Sequence, residues 1–480
     1  MSSKITKLGI TNKKISARGG ISLFLCYIQN VKLYGLISIS LGSFIFLSSR
    51  GLQLEQFLKQ MFAFFIDGTD MSISSFDRKK KDEGYAALLE NHTSEMASSH
   101  QIKRFFIKFI FIKDSLYNKI LHELFIWRLH IENPKIIILG IDTMVMDNDS
   151  SKKKEGCDST YKKKKGFQPL HICWGTFLID VLFRKGSSHS NHGTDYTDRV
   201  KAVVKLIRER YSVDVPIILC ADSGFADQKA FHCFEDELYI HYIITSRLYK
   251  DIKQYASEAK ATPYHKLTNG KNVWRYFEFA DKRASWKLFR RAIFTSLSCD
   301  NQGQYLLGLD DHTDSLMYTN IGNNNIADTR LREAGGRNLF EIEAIIELSH
   351  KRGADELIHR SLKELATKEQ LPFKKFGMNR AYYFLLVISH FILEAYKRDV
   401  TADVIPIGVY PNTFRRRLVD FAAMITCGGR SITLKVTREV YETFKLENLW
   451  QRCQSPGQTH VISDNTLVIN NFNNFLLITF

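Results

Sequence analysis

Two short apolar runs near the middle of the chain each end in or just before an aspartate. They read KIIILGIDT at 135–143 and VPIILCADSGF at 215–225. Runs of this kind, rich in β-branched residues, are typical of strands buried in a sheet. A strand-like region at 170–183 and a segment of helical periodicity at 194–211 lie between them, and the strand-like YIHYIITSRL follows. Strands that alternate with helices in this way predict an α/β core.

The pattern changes on both sides of this core. Before it, the chain reads as amphipathic helices, and in MASSHQIKRFF either Ser98 or Ser99 is suited to cap a basic, aromatic helix. Strand-like polar sequence interrupts the core, and a basic helix is expected at 411–429. The predicted segments are a helical N-terminal region at 1–130, the first part of the core at 131–250, a β-rich insertion at 251–340, the helical second part of the core at 341–410 and a C-terminal helical region at 411–480.

Two segments are apolar enough to suggest membrane spans. In residues 21–49 three polar residues leave an apolar stretch shorter than the ~20 residues that cross a bilayer. Residues 381–398 are interrupted by His390 and Glu394. We expect both segments to be buried helices and expect no membrane partner. A secretory signal peptide is not expected either, because no A-x-A-like cleavage site follows a short apolar core.

Composition indicates a class of partner and a cellular compartment. The chain has 67 Lys and Arg against 51 Asp and Glu, a formal net charge of +16. That balance favours a polyanion such as nucleic acid, or an anionic membrane surface. The eight cysteines include no C-x-x-C pair, which argues against a zinc site or a disulfide framework and favours a reducing compartment.

A charged stripe is predicted on the helix that contains KRGADELIHRSLK, residues 351–363. At about 100° per residue, Arg352, Glu356 and Lys363 fall within roughly 40° of one line along the helix. By itself this pattern is typical of a solvated face with ion pairs. The apolar residues of the opposite side are Ile358 and Leu365, flanked by Leu357 and Leu362.

Three carboxylates are candidates for metal chemistry. Asp142 and Asp222 end two predicted strands, and the carboxyl ends of neighbouring strands meet at the edge where α/β folds place their sites. A helix packed there would add Glu356. Carboxylates without histidine or cysteine ligands suit a hard cation such as Mg²⁺, and two ions about 4 Å apart can clamp both oxygens of a phosphodiester displacement. Arg352 and Lys363 would then hold phosphates.

Each of these features also has a structural interpretation. An aspartate after a strand often caps a turn, and ADSG at 221–224 is ordinary turn chemistry. The lysine runs at 152–154 and 162–165 are typical of solvated loops. Only the joint arrangement of the three acids indicates a catalytic site.

At these residues the chain resembles the DDE transposases of bacterial insertion sequences, specifically the thirteen-eighty group of the hairpin-forming superfamily. The third motif of that family is Tyr-x-x-Arg-x-x-x-Glu-x-x-x-x-x-x-Lys, which Arg352, Glu356 and Lys363 fit. The resemblance covers about 50 to 455. The other matching stretches are GIDT at 140–143, GFQPLH at 166–171, CADSGFAD at 220–227, YTNI at 318–321, LPFKKFGMNRAYYFLL at 371–386 and the tail block TFRRRLVDFAAMI.

The resemblance implies an RNase H-like core, a mixed five-stranded sheet with flanking helices, interrupted by the β-rich insertion and preceded by a helical DNA-binding region. It implies catalytic and metal-binding roles for Asp142, Asp222 and Glu356 with two Mg²⁺ (or Mn²⁺) ions. The implied reaction is cleavage at the element ends by metal-activated water, followed by attack of the freed 3′-hydroxyl on the opposite strand or on target DNA. The implied partners are double-stranded DNA, as terminal repeats and target, and a second copy of the chain. The implied location is the bacterial cytoplasm, at the nucleoid.

Further DNA contacts are expected outside the acidic motifs. Lys103 and Arg104 lie on the basic helix that follows Ser98; this helix is a candidate to lie on DNA, with a packing helix that has one solvated face as the alternative. Trp286 in the insertion is a candidate to stack on a flipped base, with a structural role in the sheet as the alternative.

The chain departs from the family pattern at three positions. Ser349 stands where the family has Tyr, Gly140 where an acidic residue is often found, and Cys220 where Arg is usual. Two alternatives to an active transposase therefore stay open: a catalytically inactive DNA-binding copy, and a metal-dependent nuclease without strand transfer.

Overall fold

The computed structural model describes residues 5, 7–150, 153–188, 195–258, 264–269, 272–299, 314–351, 354–365, 370–429 and 431–455. The chain forms two compact units. We call the first the helical unit; it comprises Met1–Glu123, Ser150–Glu155 and Arg360–Phe480. The second, the sheet unit, comprises Leu124–Asp149 and Gly156–His359.

The secondary structure combines many helices with fifteen strands in the described part of the chain. The helices are α1 Gly20–Asn30, α2 Leu33–Leu41, α3 Leu54–Asp67, α4 Ser75–Lys79, α5 Glu83–Leu88, α6 Ser99–Ile107, α7 Asp114–Glu132, α8 Asp195–Arg210, α9 Gln228–His232, α10 Lys250–Glu258, α11 Asn325–Glu333, α12 Ile342–Lys351, α13 Ala354–Leu365, α14 Phe376–Tyr396, α15 Pro411–Phe414, α16 Arg438–Thr443 and α17 Leu446–Gln454. The strands are β1 Lys14–Ser16, β2 Ile137–Thr143, β3 Met146–Asp147, β4 Asp158–Ser159, β5 Lys165–Phe167, β6 Leu170–Trp174, β7 Phe177–Leu182, β8 Ile217–Ala221, β9 His241–Ser246, β10 His265–Asn269, β11 Asn272–Asp281, β12 Arg290–Cys299, β13 Asp314–Thr319, β14 Ala423–Gly428 and β15 Ser431–Lys435.

A nine-stranded mixed sheet forms the framework of the sheet unit. Its strand order is β10-β11-β12-β13-β9-β8-β2-β6-β7. The central strands β2, β8 and β9 run parallel to each other, whereas β6 and β7 on one side and β10 to β13 on the other pair antiparallel. The two apolar runs that predicted buried strands are β2 and β8, adjacent at the centre. The α/β character expected from the sequence is therefore confirmed.

The sheet is larger than the five strands expected. The strand-like sequence after residue 251 was predicted to be an insertion, and its strands extend the same sheet. The connection is β13, where Leu316–Thr319 pair with Ile243–Ser246 of β9. Both strands are apolar on their buried positions, so pairing them places one continuous apolar surface under α11 and α12. The residues packed there include Ile218, Cys220, Ile243 and Met317 from the strands and Leu331, Ile345 and Ile346 from the helices.

A small three-stranded sheet continues the β2–β6 pair beyond its end. Its order is β3-β5-β4. The turn Tyr161–Lys164 joins β4 to β5, and we call residues 158–167 the lysine hairpin. The lysines at 162–165 are all exposed, as expected, but they lie on a folded hairpin instead of an irregular loop.

The helical unit buries the two apolar segments of the sequence. Residues 21–49 contain α1 and α2, separated at Lys32, whose φ of 63° breaks the helix. The described helices that are long and apolar enough to span a membrane are Phe376–Thr401 and, if counted as one despite a 60° bend, Gly20–Asn30 with Leu33–Phe44. In Phe376–Thr401, 89% of the apolar window is buried, as in the core helix of a globular protein.

The helix expected over 411–429 is wrong beyond Val419. The chain turns at Asp420 and then forms β14, which pairs with β1 and β15. Ala423 and Ile425 are buried while their neighbours are more exposed. This alternation, with the β-branched Ile425 and Thr426, has the period of a strand.

Candidate active site

Asp142 lies near the end of the central strand β2. Its Oδ1 accepts a hydrogen bond from the backbone N–H of Thr143 at 2.7 Å. In the ladder with β6 its partner is His171. The strand is held by apolar residues on either side, since Leu139 and Ile141 are buried. Asp142 therefore has a fixed position at the carboxyl end of β2, in the middle of the sheet.

Asp222 follows β8, the parallel neighbour of β2. The register pairs Gly140 with Cys220 and Ile141 with Ala221. Extended by one residue, this register brings Asp222 beside Asp142, on strands that are about 4.8 Å apart. Asp222 also caps the short helical turn Ser223–Phe225, because its Oδ1 accepts from the N–H of Gly224 at 2.9 Å. The turn-capping role and a position at the site therefore occur together.

Tyr161, at the tip of the lysine hairpin, reports on both carboxylates. Burial raises the pKa of the Tyr161 phenol, and the negative charges of Asp142 and Asp222 raise it further. The geometric link between the hairpin and Asp142 is the sheet itself: the β2–β6 ladder ends one step beyond Asp142, and β3 and β5, on which the hairpin is built, follow from that end.

His359 connects helix α13 to this end of the sheet. Its Nδ1 lies 3.9 Å from Oδ2 of Asp142, and its Nε2 lies 3.4 Å from Nδ1 of the buried His171. Sequence reasoning missed both histidines as site residues. The available signals were His171 at the end of GFQPLH and the position of His359, three residues after Glu356 and therefore on nearly the same side of the helix.

Helix α13 confirms the helical spacing on which the charged stripe depends. Ile358, Leu362 and Leu365 are buried, as predicted. Leu357 is 51% exposed, so the expectation that it flanks the buried side is wrong; it lies 100° from Ile358, beyond the edge of the apolar face.

The structure describes the remaining members of the stripe to different extents. Glu356 belongs to α13, but its side chain lies outside the described part of the structure, and Arg352 lies outside it altogether. Lys363 is half-buried on the same helix, seven residues after Glu356.

The other predicted DNA contacts lie in different surroundings. Lys103 and Arg104 are exposed on α6 of the helical unit. Trp286, in the sheet unit, is 7% exposed and meets Phe231 and Tyr318 edge-on, with ring centroids 5.1 and 4.7 Å away. This packing corresponds to the structural role that the sequence left open for Trp286.

The chemistry of the site fits a hard divalent cation. Asp142 and Asp222 supply carboxylate oxygens, the donors that Mg²⁺ and Mn²⁺ prefer. Among the side chains that the structure describes, no group of three His, Cys, Asp or Glu is arranged to hold a metal. The third carboxylate of the predicted set belongs to Glu356, whose side chain is not among them.

Comparison with solved structures gives a weak likeness. One match is the cryo-EM structure of a piggyBac transposase synaptic complex with hairpin DNA, at 12% identity and a TM-score of 0.31 over 79% of this chain and 84% of that one. No curated protein matches the chain.

The family comparison covers almost the entire chain. A model of the family described as Transposase DDE domain group 1 matches residues 8–456. Members of this family are DNA-acting enzymes that generally depend on divalent metal ions. The predicted DDE transposase family is thereby confirmed, while the thirteen-eighty group and a bacterial origin stay predictions. The chain belongs to the Transposase DDE domain group 1 family and is a transposase.

Proposed function

We propose that this transposase cleaves DNA at the ends of its element and transfers the cut strand into target DNA, with Asp142, Asp222 and Glu356 as the catalytic acids. The observation that carries the proposal is the parallel pairing of β2 with β8, whose last pair is Ile141 with Ala221, the residues immediately before Asp142 and Asp222. The contact of His359 with Asp142 adds support, because it brings the helix that contains Glu356 to the same end of the sheet.

The acids would hold two Mg²⁺ or Mn²⁺ ions. When bound, such ions polarise the attacking and leaving oxygens of a phosphodiester. The chain prepares the ligands for this role. The N–H groups of Thr143 and Gly224 fix one oxygen of Asp142 and one of Asp222, so these carboxylates need little reorientation when a metal binds.

An RNase H-like core is part of the proposal. Its support is the strand order β7-β6-β2-β8-β9. In this order β6 is antiparallel to β7 and β2, while β2, β8 and β9 are parallel to one another. The strands β10 to β13 would then be the insertion of the family, joined edge to edge with the core. The segment boundaries expected from the sequence are retained as proposals, except for the helix over 411–429.

DNA would be held by cations on both units. In this proposal Arg352 and Lys363 bind phosphates near the acids, and Lys103 and Arg104 of α6 bind the duplex of the terminal repeat. A second copy of the chain would pair the two element ends. The thirteen-eighty group and a location at the bacterial nucleoid belong to the same proposal, on the sequence motifs alone.

The test is metal-dependent nicking of DNA that carries the inverted repeats flanking the gene. We expect wild type to nick with Mg²⁺ or Mn²⁺, and Asp142→Asn, Asp222→Asn and Glu356→Gln each to lose roughly 10²-fold or more, the scale of removing one group that stabilises transition-state charge. The matched control is Glu333→Gln, an exposed acid of the same unit, which should nick like wild type. Equal nicking by wild type and the three variants would refute the assigned site.

The same assay separates the two alternatives. The departures Gly140, Cys220 and Ser349 are the observation that favours an inactive copy. Such a copy would bind the repeats without nicking them under any metal. A nuclease would nick but give no joined product with target DNA, whereas the proposed transposase gives both products.

A further inference from the structure

The end of the lysine hairpin opposite its turn, which we call its base, is held by pairing with β3. Gly166 of β5 pairs with Asp147 of β3 and Asp158 of β4, and a Cβ on Gly166 would come within 2.2 Å of the carbonyl oxygen of Met146. The buried Asn148 donates its N–H to the carbonyl of Lys165 at 2.9 Å. These contacts pair the hairpin with β3 by backbone hydrogen bonds and close packing, so it is a regular part of the small sheet.

The position of this base ties the hairpin to the candidate active site. β3 follows β2 after two residues, and β5 precedes β6 by two residues. The β2–β6 ladder ends with the pair Thr143 and Leu170, one step beyond Asp142. The hairpin therefore continues from the end of the sheet at which Asp142 lies.

The tip of the hairpin combines an aromatic ring with positive charge. Thr160 closes the turn, since its N–H and its hydroxyl both donate to the carbonyl of Lys164, at 2.9 and 2.8 Å. Tyr161 is 58% exposed, and the Nζ of Lys162 lies 5.8 Å from the centre of its ring. Lys162, Lys163 and Lys165 are exposed as well.

This combination matches the chemistry of a DNA strand. Exposed lysines neutralise phosphates, and an exposed aromatic ring next to them offers a surface on which a base or sugar packs. A surface made only for solvation needs no aromatic residue at its tip. The adjacent acids would repel a polyanion, so cations at this place offset that repulsion.

We propose that the lysine hairpin grips the DNA strand that is cut, with Tyr161 packed against the nucleotide beside the scissile phosphate and Lys162, Lys163 and Lys165 on the flanking phosphates. This inference rests on the proposed function, because it takes Asp142 and Asp222 to mark where the strand is cut. It assigns Tyr161 as a substrate-binding residue that acts through its ring.

The first test compares Tyr161→Ala with Tyr161→Phe in single-turnover nicking at saturating DNA. We expect the alanine variant to lose about tenfold or more in rate, the scale of one base–aromatic contact, and the phenylalanine variant to stay within about threefold of wild type. The control is Phe289→Ala. Phe289 is also an exposed aromatic residue, 68% exposed, with the Nζ of Lys282 5.7 Å from its ring centre. We expect Phe289→Ala to nick at the rate of wild type.

The second test does not need cleavage. DNA with 2-aminopurine at the nucleotide beside the cut is bound without divalent metal. Wild type and Tyr161→Phe should quench its fluorescence more than Tyr161→Ala does, with equal unfolding temperatures to show that each variant is folded. Wild-type nicking combined with unchanged rate and quenching in Tyr161→Ala would overturn the hairpin proposal and leave the proposed function standing. A wild type that does not nick would overturn the proposed function, while the quenching still decides on Tyr161.

Discussion

At the scale of single residues, His359 joins the two parts of the candidate active site. It lies between Asp142 and the buried His171, on the helix that contains Glu356. In the proposed function Asp142 binds a metal ion, and His359, whose Nδ1 lies 3.9 Å from Oδ2 of Asp142, would limit the rotation of that carboxylate without itself holding the metal. Groups of this kind typically contribute 10- to 100-fold to metal affinity or activity.

We therefore predict that His359→Gln lowers the nicking rate about 10-fold while the affinity for DNA stays the same. Titration with Mn²⁺ should show a lower apparent affinity for the metal, because Asp142 has lost a neighbour that limits its rotation. The control is His232→Gln, an exposed histidine paired with Asp236. A rate equal to that of wild type at low Mn²⁺ would show that His359 does not position Asp142.

His390 provides a pH-dependent term in the stability. Burial in α14 lowers its pKa from 6.5 to about 4; Glu394 opposes this effect, and Lys397 and Arg398 reinforce it. Between pH 6.5 and 4 the unfolded chain binds a proton that the folded chain does not. The free energy of unfolding is therefore highest above pH 6.5 and falls as the pH is lowered through this window.

The predicted loss by pH 4 is about 3 kcal/mol from this group, at 1.36 kcal/mol per pKa unit. Urea unfolding of wild type and His390→Phe at pH 7, 6 and 5 gives the free energy of unfolding at each pH. The difference between the two proteins in how this free energy changes with pH isolates the contribution of His390 from that of the other titrating groups. The same change of unfolding free energy with pH in both proteins would contradict this role of His390.

At the scale of elements, the sequence predicts a helix end correctly where hydrogen bonds between residues close in the chain fix it. Ser98 caps α6 as expected, with Gln101 completing a reciprocal pair of hydrogen bonds. The capping side chain satisfies a backbone N–H that has no partner within the helix. The start of this helix is therefore encoded within four residues.

We predict that Ser98→Ala destabilises the helical unit by about 1 kcal/mol. Thermal unfolding measures the change, and Ser115→Ala, an exposed serine in the first turn of α7, serves as the control. Equal unfolding temperatures for Ser98→Ala and wild type would mean that packing alone fixes the start of α6.

Other elements depend on partners distant in the chain, and sequence reasoning fails there. The residues of β14 pair with β1, more than 400 residues earlier. The basic residues just before β14 favoured a helix over 411–429, and no nearby sequence indicates the partner strand. The lysine hairpin depends on the fit of Gly166 against β3. Asp142 and Asp222 could be predicted as candidates because one lies near the end of an apolar strand and the other follows one. The contact of His359 with Asp142 and His171 depends on how α13 and β6 pack against β2.

At the scale of the whole molecule, the net charge of +16 predicts how DNA binding depends on salt. Each phosphate contact releases counterions, so the logarithm of the binding constant falls with the logarithm of salt concentration by about 0.9 per contact. A protein held largely by phosphate contacts loses affinity steeply between 50 and 200 mM salt. Lys103 and Arg104 account for two of these contacts in the proposed complex.

The corresponding variant is Lys103→Gln/Arg104→Gln, for which we predict a slope shallower by about 2. The control, Lys205→Gln/Arg438→Gln, removes the same charge from positions that already pair with Glu209 and Glu442. If net charge alone attracted DNA, both double variants would change the slope equally. If α6 lies on the duplex, only the first changes it, and the difference between the two slopes counts the phosphates that α6 contacts.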